Sequence, residues 1–204
     1  MPHCADRGSP CAHLSPLPTP RVERESGTVP GVNRPPDRVY LVGFMGAGKT
    51  TVGRALAELL ACDFFDTDAT VEAAEGRSIE ELFRTRGEGY FREKEWEALA
   101  STSLLRRVVV ATGGGLFLAP MHKSFIRRHG TSVWLDAPVE KIWSRCHEAG
   151  GRPLFTTFEE LVALLEARRP RYAEADLHIV EADRDPAAVA REIADKLGAA
   201  EESA

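Results

Sequence analysis

The segment that most constrains this chain is the glycine-rich stretch GFMGAGKT, Gly43 to Thr50. It fits the pattern G-x-x-x-x-G-K-[ST], in which the glycines let backbone N–H groups close around a phosphate. In such a loop Lys49 reaches the β and γ phosphates and Thr50 offers its hydroxyl to Mg²⁺. A glycine-rich turn with a surface lysine is the alternative. The context favours the phosphate loop, because residues 38–42 predict a buried strand before it and residues 51–60 predict a helix after it.

Length and composition exclude several classes of protein. A chain of 204 residues suits one domain with a full core, and its net charge of −5 argues against a nucleic-acid binder with a basic face. No apolar run approaches the ~20 residues of a membrane span, so we expect no membrane partner.

The cysteines and histidines indicate neither a disulfide framework nor a metal site. The four cysteines are scattered without a C-x-x-C pair, which fits a reduced, cytoplasmic location. His122, His129 and His147 have no partners at metal-ligand spacing, so we expect them to be surface or packing residues.

The first 36 residues differ from the rest of the chain. They hold eight of the thirteen prolines and no Phe, Trp or Tyr, so we expect residues 1–36 to form a disordered tail. A transit peptide or an over-long start is the alternative. We expect one folded domain over residues 37–198 and a frayed C-terminus over residues 199–204.

A pair of acids follows the first helix. Residues 62–68 predict a short aromatic strand that ends in Asp66 and Asp68. In an extended chain both carboxylates would face the same side, beyond the end of a strand where parallel sheets bind ligands. One carboxylate could then serve Mg²⁺ and the other a substrate hydroxyl. The alternative is a solvated turn in which Asp68 caps the next helix.

Helices are predicted over residues 69–75, 78–84 and 88–104. The last of these carries Arg92 and Glu95 on one face, where the glutamate could orient the guanidinium. A fixed guanidinium suits a carboxylate ligand, although an ordinary surface ion pair is the alternative.

An apolar run over residues 108–112 predicts a buried parallel strand, and it ends in Gly113, Gly114 and Gly115. Three successive glycines allow a ligand to approach the backbone closely, whereas a flexible turn does not require three. The β-α alternation then continues with a helix over 119–129, a strand over 132–136, a helix over 138–147, a strand over 176–181 and a closing helix to about residue 197.

A polar, glycine-hinged segment over residues 150–157 lies between two predicted helices. It can act as a lid that brings Arg152 to a transferring phosphoryl group, or it can be a plain connection. The helix after it, over residues 158–173, carries Arg168, and Pro170 should bend or end it.

Five motifs stand in one order along residues 38–197: GFMGAGKT, DTD, FR-x-x-E, GGG, and RPL followed by R-x-P-x-Y. Together they resemble the shikimate kinase family. The resemblance implies an α/β fold, with a five-stranded parallel sheet, flanking helices and a mobile lid, similar to nucleoside monophosphate kinases. It implies transfer of the γ-phosphate of ATP to the 3-hydroxyl of shikimate, with Mg²⁺ as cofactor, by an enzyme that we expect to be monomeric.

The resemblance also assigns roles to matching residues. Asp68 would bind substrate hydroxyls and help to deprotonate the attacking one, and Arg152 would reach the phosphoryl group from the lid; with Lys49 these are the expected catalytic residues. The expected metal-binding residues are Thr50 and Asp66. The expected substrate-binding residues are Asp68, Arg92, Gly113, Gly114, Gly115 and Arg168. The expected ATP-binding residues are Gly46, Ala47, Gly48, Lys49, Thr50, Thr51, Arg145, Arg152 and Arg184.

Two alternatives to this function belong to different classes. A gluconate-type kinase would share the phosphate loop and a polyhydroxylated acid as substrate, but Arg92 and the three glycines favour shikimate. A catalytically silent nucleotide-binding relative should have lost Lys49, Asp68 or Arg152, and all three are present. The sequence departs from the family at Phe155, where many relatives have a smaller aliphatic residue, and in its proline-rich tail.

Overall fold

The computed structural model of this protein describes residues 36–148 and 155–201, and for residues 199–201 it describes the backbone only. The strands are β1 Arg38–Val42, β2 Asp63–Asp66, β3 Val108–Ala111, β4 Thr131–Asp136 and β5 Leu177–Val180. The α-helices are α1 Lys49–Leu59, α2 Thr67–Glu75, α3 Ile79–Ser101, α4 Pro120–His129, α5 Val139–Glu148, α6 Phe158–Tyr172 and α7 Pro186–Glu201. Short 3₁₀ helices cover Thr102–Leu104 and Leu116–Leu118.

The strands form one sheet in the order β2-β3-β1-β4-β5, and every neighbouring pair runs parallel. The central strand β1 is buried from Val39 to Val42, and β3 is buried along its whole length. Their continuous apolar sequences suit strands that are covered on both faces of the sheet. The predicted α/β fold with a five-stranded parallel sheet is therefore confirmed.

The parallel strands bring the predicted motifs to one edge of the sheet. The loop GFMGAGKT follows β1, Asp66 ends β2, and Gly113 follows β3. The register pairs Ala111 of β3 with Leu41 on one side and with Asp66 on the other. Segments that are distant in the chain therefore meet at the carboxyl edge, where open parallel sheets bind ligands.

The prediction that Asp66 and Asp68 lie in extended chain is wrong. Strand β2 stops at Asp66 and α2 begins at Thr67, so Asp68 lies in the first turn of a helix. Asp66 Oδ1 accepts hydrogen bonds from the backbone N–H groups of Asp68 (3.0 Å) and Ala69 (3.2 Å). The helix starts here because Asp66 satisfies N–H groups that have no partner within the helix. The cap is thus Asp66 and not Asp68.

The predicted break between two helices at Gly87 is confirmed, because Gly87 within α3 has a φ of 81° and a ψ of 169°, which are not helical. The second part of α3 ends at Ser101, before the predicted end at residue 104. Helix α6 ends at Tyr172, one residue from the predicted end, and it includes Pro170, because a proline so near the end removes only one helical hydrogen bond. Helix α7 runs to Glu201, beyond the predicted end near residue 197.

Two predicted segments lie outside the described residues. They are the proline-rich tail, of which only the last residue is described, and residues 149–154, which include Arg152 of the predicted lid. Within the described ranges, no helix has the length and apolar character needed to cross a membrane.

The hydrophobic residues form two separate clusters. The larger one surrounds β1 and includes buried residues from β1, β3, β4 and β5, while Phe64 and Phe65 of β2 are partly buried against it. The smaller one lies between α2 and α3 and consists of Val71, Leu82, Phe91 and Ala98. The α2–α3 segment therefore has a small core of its own.

Arg38 connects the amino end of β1 to the ends of two helices. Its guanidinium donates hydrogen bonds to the backbone oxygens of Thr102 (2.9 Å), Ser103 (2.7 Å) and His129 (3.2 Å). These carbonyls lie where α3 and α4 end and have no partner within those helices. The carbonyl oxygen of Arg38 in turn packs against Gly130, where α4 leads into β4.

We expect Gly130→Ala to lower the free energy of unfolding by about 1–3 kcal/mol, because a Cβ at this position would overlap the carbonyl oxygen of Arg38. Gly198→Ala in α7 is the matched control, since a Cβ there would meet nothing within 4 Å. In that helix alanine should raise stability by about 0.5–1 kcal/mol. Urea unfolding followed by circular dichroism measures both effects, and equal stabilities of the two variants would contradict the close packing at Gly130.

Candidate active site

The loop Gly43–Thr50 surrounds the N-terminus of α1. Gly48 caps this helix in the left-handed conformation, with φ of 94° and ψ of 13°, which suits glycine far better than other residues. Backbone N–H groups and the positive end of the helix dipole point into the loop, and this arrangement favours a bound phosphate.

Lys49 lies inside the loop and not on the surface. Its side chain is 7% exposed, and its ammonium donates to the carbonyl oxygens of Gly43 (2.9 Å) and Phe44 (2.7 Å). The alternative of a surface lysine on a flexible turn does not fit these contacts. The charge is held where the β and γ phosphates of a bound nucleotide would lie.

Arg145 of α5 also contacts the loop. Its Nη1 donates to the carbonyl oxygen of Gly46 at 2.9 Å. Arg184 lines the same cleft, together with Ala182 and Pro186. The two arginines predicted on the nucleotide side thus both line the cleft, and Arg145 also contacts the phosphate loop.

Thr50 and Asp66 connect the loop to β2. The Thr50 hydroxyl donates to Asp66 Oδ2 at 2.8 Å, while Oδ1 of the same carboxylate caps α2. These are hard oxygen ligands, and Mg²⁺ commonly takes few of them from the protein and the rest from phosphate and water. No group of three or more His, Cys, Asp or Glu side chains in the described part of the chain could hold a metal ion. Thr50 and Asp66 therefore fit a Mg²⁺ that is bound together with a nucleotide.

Gly113–Gly115, the glycine turn, requires glycine because neighbouring atoms leave no room for a Cβ. None of the three has a positive φ. A Cβ on Gly113 would lie 2.6 Å from Asp68 Oδ1 and would overlap Glu95 Oε1. The carboxylates of α2 and α3 therefore face the same backbone atom. Glu95 is only 1% exposed, which excludes an ordinary surface ion pair with Arg92.

Arg92 is held by two glutamates and faces the glycine turn. Its Nη1 donates to Glu95 Oε2 (2.8 Å), and its Nε and Nη2 donate to Glu88 Oε1 (3.2 and 3.1 Å). A Cβ on Gly115 would lie 2.9 and 3.0 Å from the two terminal nitrogens, so the terminal edge of the guanidinium faces the turn. Burial lowers the pKa of Arg92, but Glu95 and Glu88 more than offset this and raise its pKa above the usual value.

Arg168 of α6 contacts the loop through Phe44. Its guanidinium lies over the ring of Phe44, 5.4 Å from the centroid. Its Nη1 is buried and has no hydrogen-bond partner among the residues that the structure describes. Phe155, the departure from the family pattern, also stacks on Phe44 at 6.3 Å and is buried, so its larger ring is accommodated in the core.

A cleft of about 470 Å³ opens at this edge of the sheet. The predicted site residues that line it are Gly46, Gly48, Lys49, Thr50, Thr51, Asp66, Asp68, Gly114, Arg145 and Arg184. Ala47 is fully buried beneath the loop. Four predicted substrate-binding residues do not line the cleft. Gly113 and Gly115 belong to the glycine turn, Arg92 faces the turn, and Arg168 contacts Phe44.

Sequence reasoning assigned no role to Thr67 and Tyr172, although both lie inside quoted motifs. Thr67 Oγ1 accepts a hydrogen bond from the backbone N–H of Gly113 at 2.9 Å. The Tyr172 hydroxyl donates to the carbonyl oxygen of Gly114 at 2.5 Å. Their positions inside the motifs DTD and R-x-P-x-Y were the sequence signal that could have indicated a role for them.

The three histidines pack against aromatic rings, as predicted. The ring centroids are 5.3 Å apart for His122 and Trp96, 4.1 Å for His129 and Phe125, and 4.3 Å for His147 and Trp143.

Comparisons with known proteins identify the family. The family model described as shikimate kinase matches residues 45–198. A shikimate kinase from Microcystis aeruginosa is 46% identical over 150 residues, which cover 72% of this chain and 78% of that protein.

Solved structures agree with the sequence comparison. A shikimate kinase from Acinetobacter baumannii in complex with shikimate has a TM-score of 0.73 and 35% identity, and the match covers 80% of this chain and 94% of that one. The enzyme from Aquifex aeolicus has a TM-score of 0.72 and 37% identity, with 82% and 99% covered. Because the match extends over nearly the whole folded region, and not only over a phosphate loop that many kinases share, this chain belongs to the shikimate kinase family.

Proposed function

We propose that this protein transfers the γ-phosphoryl group of ATP to the 3-hydroxyl of shikimate and so forms shikimate 3-phosphate for aromatic amino acid biosynthesis. The observation that carries the proposal is the position of the glycine turn. A Cβ on Gly114 would lie 2.9 Å from the backbone nitrogen of Met45 in the phosphate loop, while Gly113 and Gly115 face Asp68 and Arg92. Donor and acceptor sites that share one wall can hold the reacting atoms close together and in line.

On the donor side, the backbone of Gly46, Ala47, Gly48 and Thr51 would surround the phosphates, and Lys49 would neutralise their charge. Arg145 and Arg184 would border the adenine. Thr50 and Asp66 would hold Mg²⁺ directly or through water, and the ion, when bound, supplies further positive charge to the phosphates.

On the acceptor side, several polar groups around the glycine turn have spare hydrogen-bonding capacity. Each terminal nitrogen of Arg92 keeps one N–H after its bonds to Glu95 and Glu88, and two parallel donors match the oxygens of a carboxylate. The backbone N–H groups of Gly114 and Gly115 donate to no atom in the described part of the chain. Both glycines are partly exposed, and the carboxylate and hydroxyls of shikimate would supply acceptors for these N–H groups.

Asp68 would accept the proton of the attacking hydroxyl from its position at the start of α2. Positive charge from Lys49 and from Arg152 would stabilise the charge on the transferring phosphoryl group. The assignment of Arg152 rests on the sequence alone, as does the lid over residues 150–157, whose closure would exclude water that competes for ATP.

We further propose that the enzyme acts as a monomer in the cytoplasm without a nucleic-acid or membrane partner. One chain supplies all the residues proposed for both sites, so a second subunit is not needed to complete them. No catalytic role is proposed for residues 1–36 and 199–204.

An assay of ADP release tests the function directly. With ATP and Mg²⁺, we expect release that depends on shikimate, and we expect gluconate to give no more than the background hydrolysis measured without an acceptor. Product identification by mass spectrometry checks the site of transfer. Phosphorylation of gluconate in preference to shikimate would contradict the proposal.

We expect Asp68→Asn to lower kcat by about 10²–10⁴-fold, because the amide cannot accept the proton of the acceptor hydroxyl. ATP binding, measured by calorimetry, should be unchanged because the substitution lies on the acceptor side. Asp63→Asn, at the exposed start of β2, is the control and should behave as wild type. A kcat near that of wild type in Asp68→Asn would contradict the role of Asp68.

We expect Arg92→Ala to raise the shikimate KM by about 10–100-fold, since the carboxylate would lose charge-assisted hydrogen bonds. Arg92→Lys keeps a charge beside buried Glu95 but loses the two-pronged edge, so it should fold normally and show the same direction of change. Arg86→Ala, on the exposed surface of α3, is the control. Steady-state kinetics measure all three variants, and an unchanged shikimate KM in Arg92→Lys and Arg92→Ala would count against the assignment.

A further inference from the structure

The glycine turn is held by two hydroxyl groups from different helices. Thr67 Oγ1 accepts from the N–H of Gly113, and the Tyr172 hydroxyl donates to the carbonyl oxygen of Gly114. Both side chains are fully buried. The two bonds therefore fix the peptide group before Gly113 and the peptide group between Gly114 and Gly115, and the buried hydroxyls are not replaced by solvent if they are lost.

Each hydroxyl also connects the turn to a residue proposed to bind substrate. Thr67 lies between Asp66 and Asp68 at the start of α2, so the helix that carries Asp68 also carries the partner of Gly113. Tyr172 lies one helical turn after Arg168 on α6, and positions four apart share a helical face. A shift of the turn would therefore change its position relative to both side chains.

Tyr172 can keep its role over the whole range of physiological pH. Burial raises the pKa of Tyr172 to about 12, although Arg168 lowers it in part. The hydroxyl thus stays protonated and remains a donor to Gly114.

The surroundings of the turn leave little room for displacement. A Cβ on Gly114 would lie 2.9 Å from Met45 N, and a Cβ on Gly115 would lie 2.9 Å from Arg92 Nη1. The N–H of Gly115 belongs to the same peptide group as the Gly114 carbonyl that Tyr172 holds, and the N–H of Gly114 belongs to the peptide group between the two held ones. A misplacement of about 1 Å at a reacting centre can cost 10²-fold in rate.

We infer that Thr67 and Tyr172 are positioning residues, which hold the glycine turn in the geometry that acceptor binding requires. The inference rests on the proposed function, since it concerns the acceptor site of that reaction. In this proposal the hydroxyls act on the acceptor through the backbone of Gly113 and Gly114, and the Tyr172 hydroxyl also acts on the neighbouring Arg168.

The test removes each hydroxyl with little change in shape. In Thr67→Val and Tyr172→Phe we expect the shikimate KM to rise roughly tenfold, while the ATP KM stays within about twofold of wild type. Thr67→Ser keeps the hydroxyl and should restore the shikimate KM. The double variant should raise KM by less than the product of the single effects, because both bonds act on one turn.

A second buried hydroxyl pair provides the matched control. The Tyr40 hydroxyl and Thr102 Oγ1 are 3.0 Å apart, and both residues are fully buried near the amino end of the sheet. Tyr40→Phe and Thr102→Val make the same chemical changes away from the cleft. They should lower the melting temperature but leave the shikimate KM unchanged.

The outcomes separate the inference from the function. If wild type shows shikimate-dependent turnover but Thr67→Val and Tyr172→Phe change the shikimate KM no more than the control variants, the inference is wrong and the function stands. An equal rise in the ATP KM would also overturn it, because the effect would not be confined to the acceptor. If wild type itself shows no dependence on shikimate, both are wrong. If Thr67→Val fails to fold, the shikimate KM of Tyr172→Phe decides between these outcomes.

Discussion

The carboxylate of Asp66 is the interaction on which the arrangement of the site depends. One oxygen accepts the hydroxyl of Thr50 at the start of α1, and the other caps α2 through the N–H groups of Asp68 and Ala69. A single side chain thus fixes the helix that follows the phosphate loop relative to the helix that carries Asp68. Charge-assisted bonds of this kind are shorter and stronger than those between neutral groups. The proposed nucleotide side and the proposed acceptor side are therefore linked through one residue at the end of β2.

The sequence predicted the sheet and the phosphate loop well because both depend on local patterns. Apolar runs such as Val108–Val110 have few stable alternatives to a buried strand, and GFMGAGKT carries its own backbone requirements. The same local approach failed at Asp66 and Asp68, where the aromatic strand pattern was extended two residues too far. An acid followed by another acid in the first helical turn is a typical N-terminal signal, and it would have indicated a helix start at Thr67.

Other features of the site could not be predicted from local patterns because their partners are distant in the chain. Thr67 and Gly113 are 46 residues apart, and Tyr172 and Gly114 are 58 residues apart. Neither pairing is encoded in a short motif, although each residue lies inside one. Glu95 was predicted only to orient Arg92, and its burial beside Gly113 follows from the packing of α3 against the sheet edge, which periodicity does not fix. A carboxylate so deeply buried is costly to the fold unless it is paired, and Arg92 provides that pairing.

The small hydrophobic cluster of α2 and α3 affects the free energy of local opening on one side of the cleft. The phosphate loop is anchored on the large central core, whereas Asp68 and Arg92 lie on a segment whose apolar interior consists of Val71, Leu82, Phe91 and Ala98. Segments with few apolar contacts open locally at a lower free energy than the core of a domain. We therefore expect the α2–α3 segment to open more readily than the central core, and a carboxylate bound at the proposed acceptor site would add contacts where the interior is smallest.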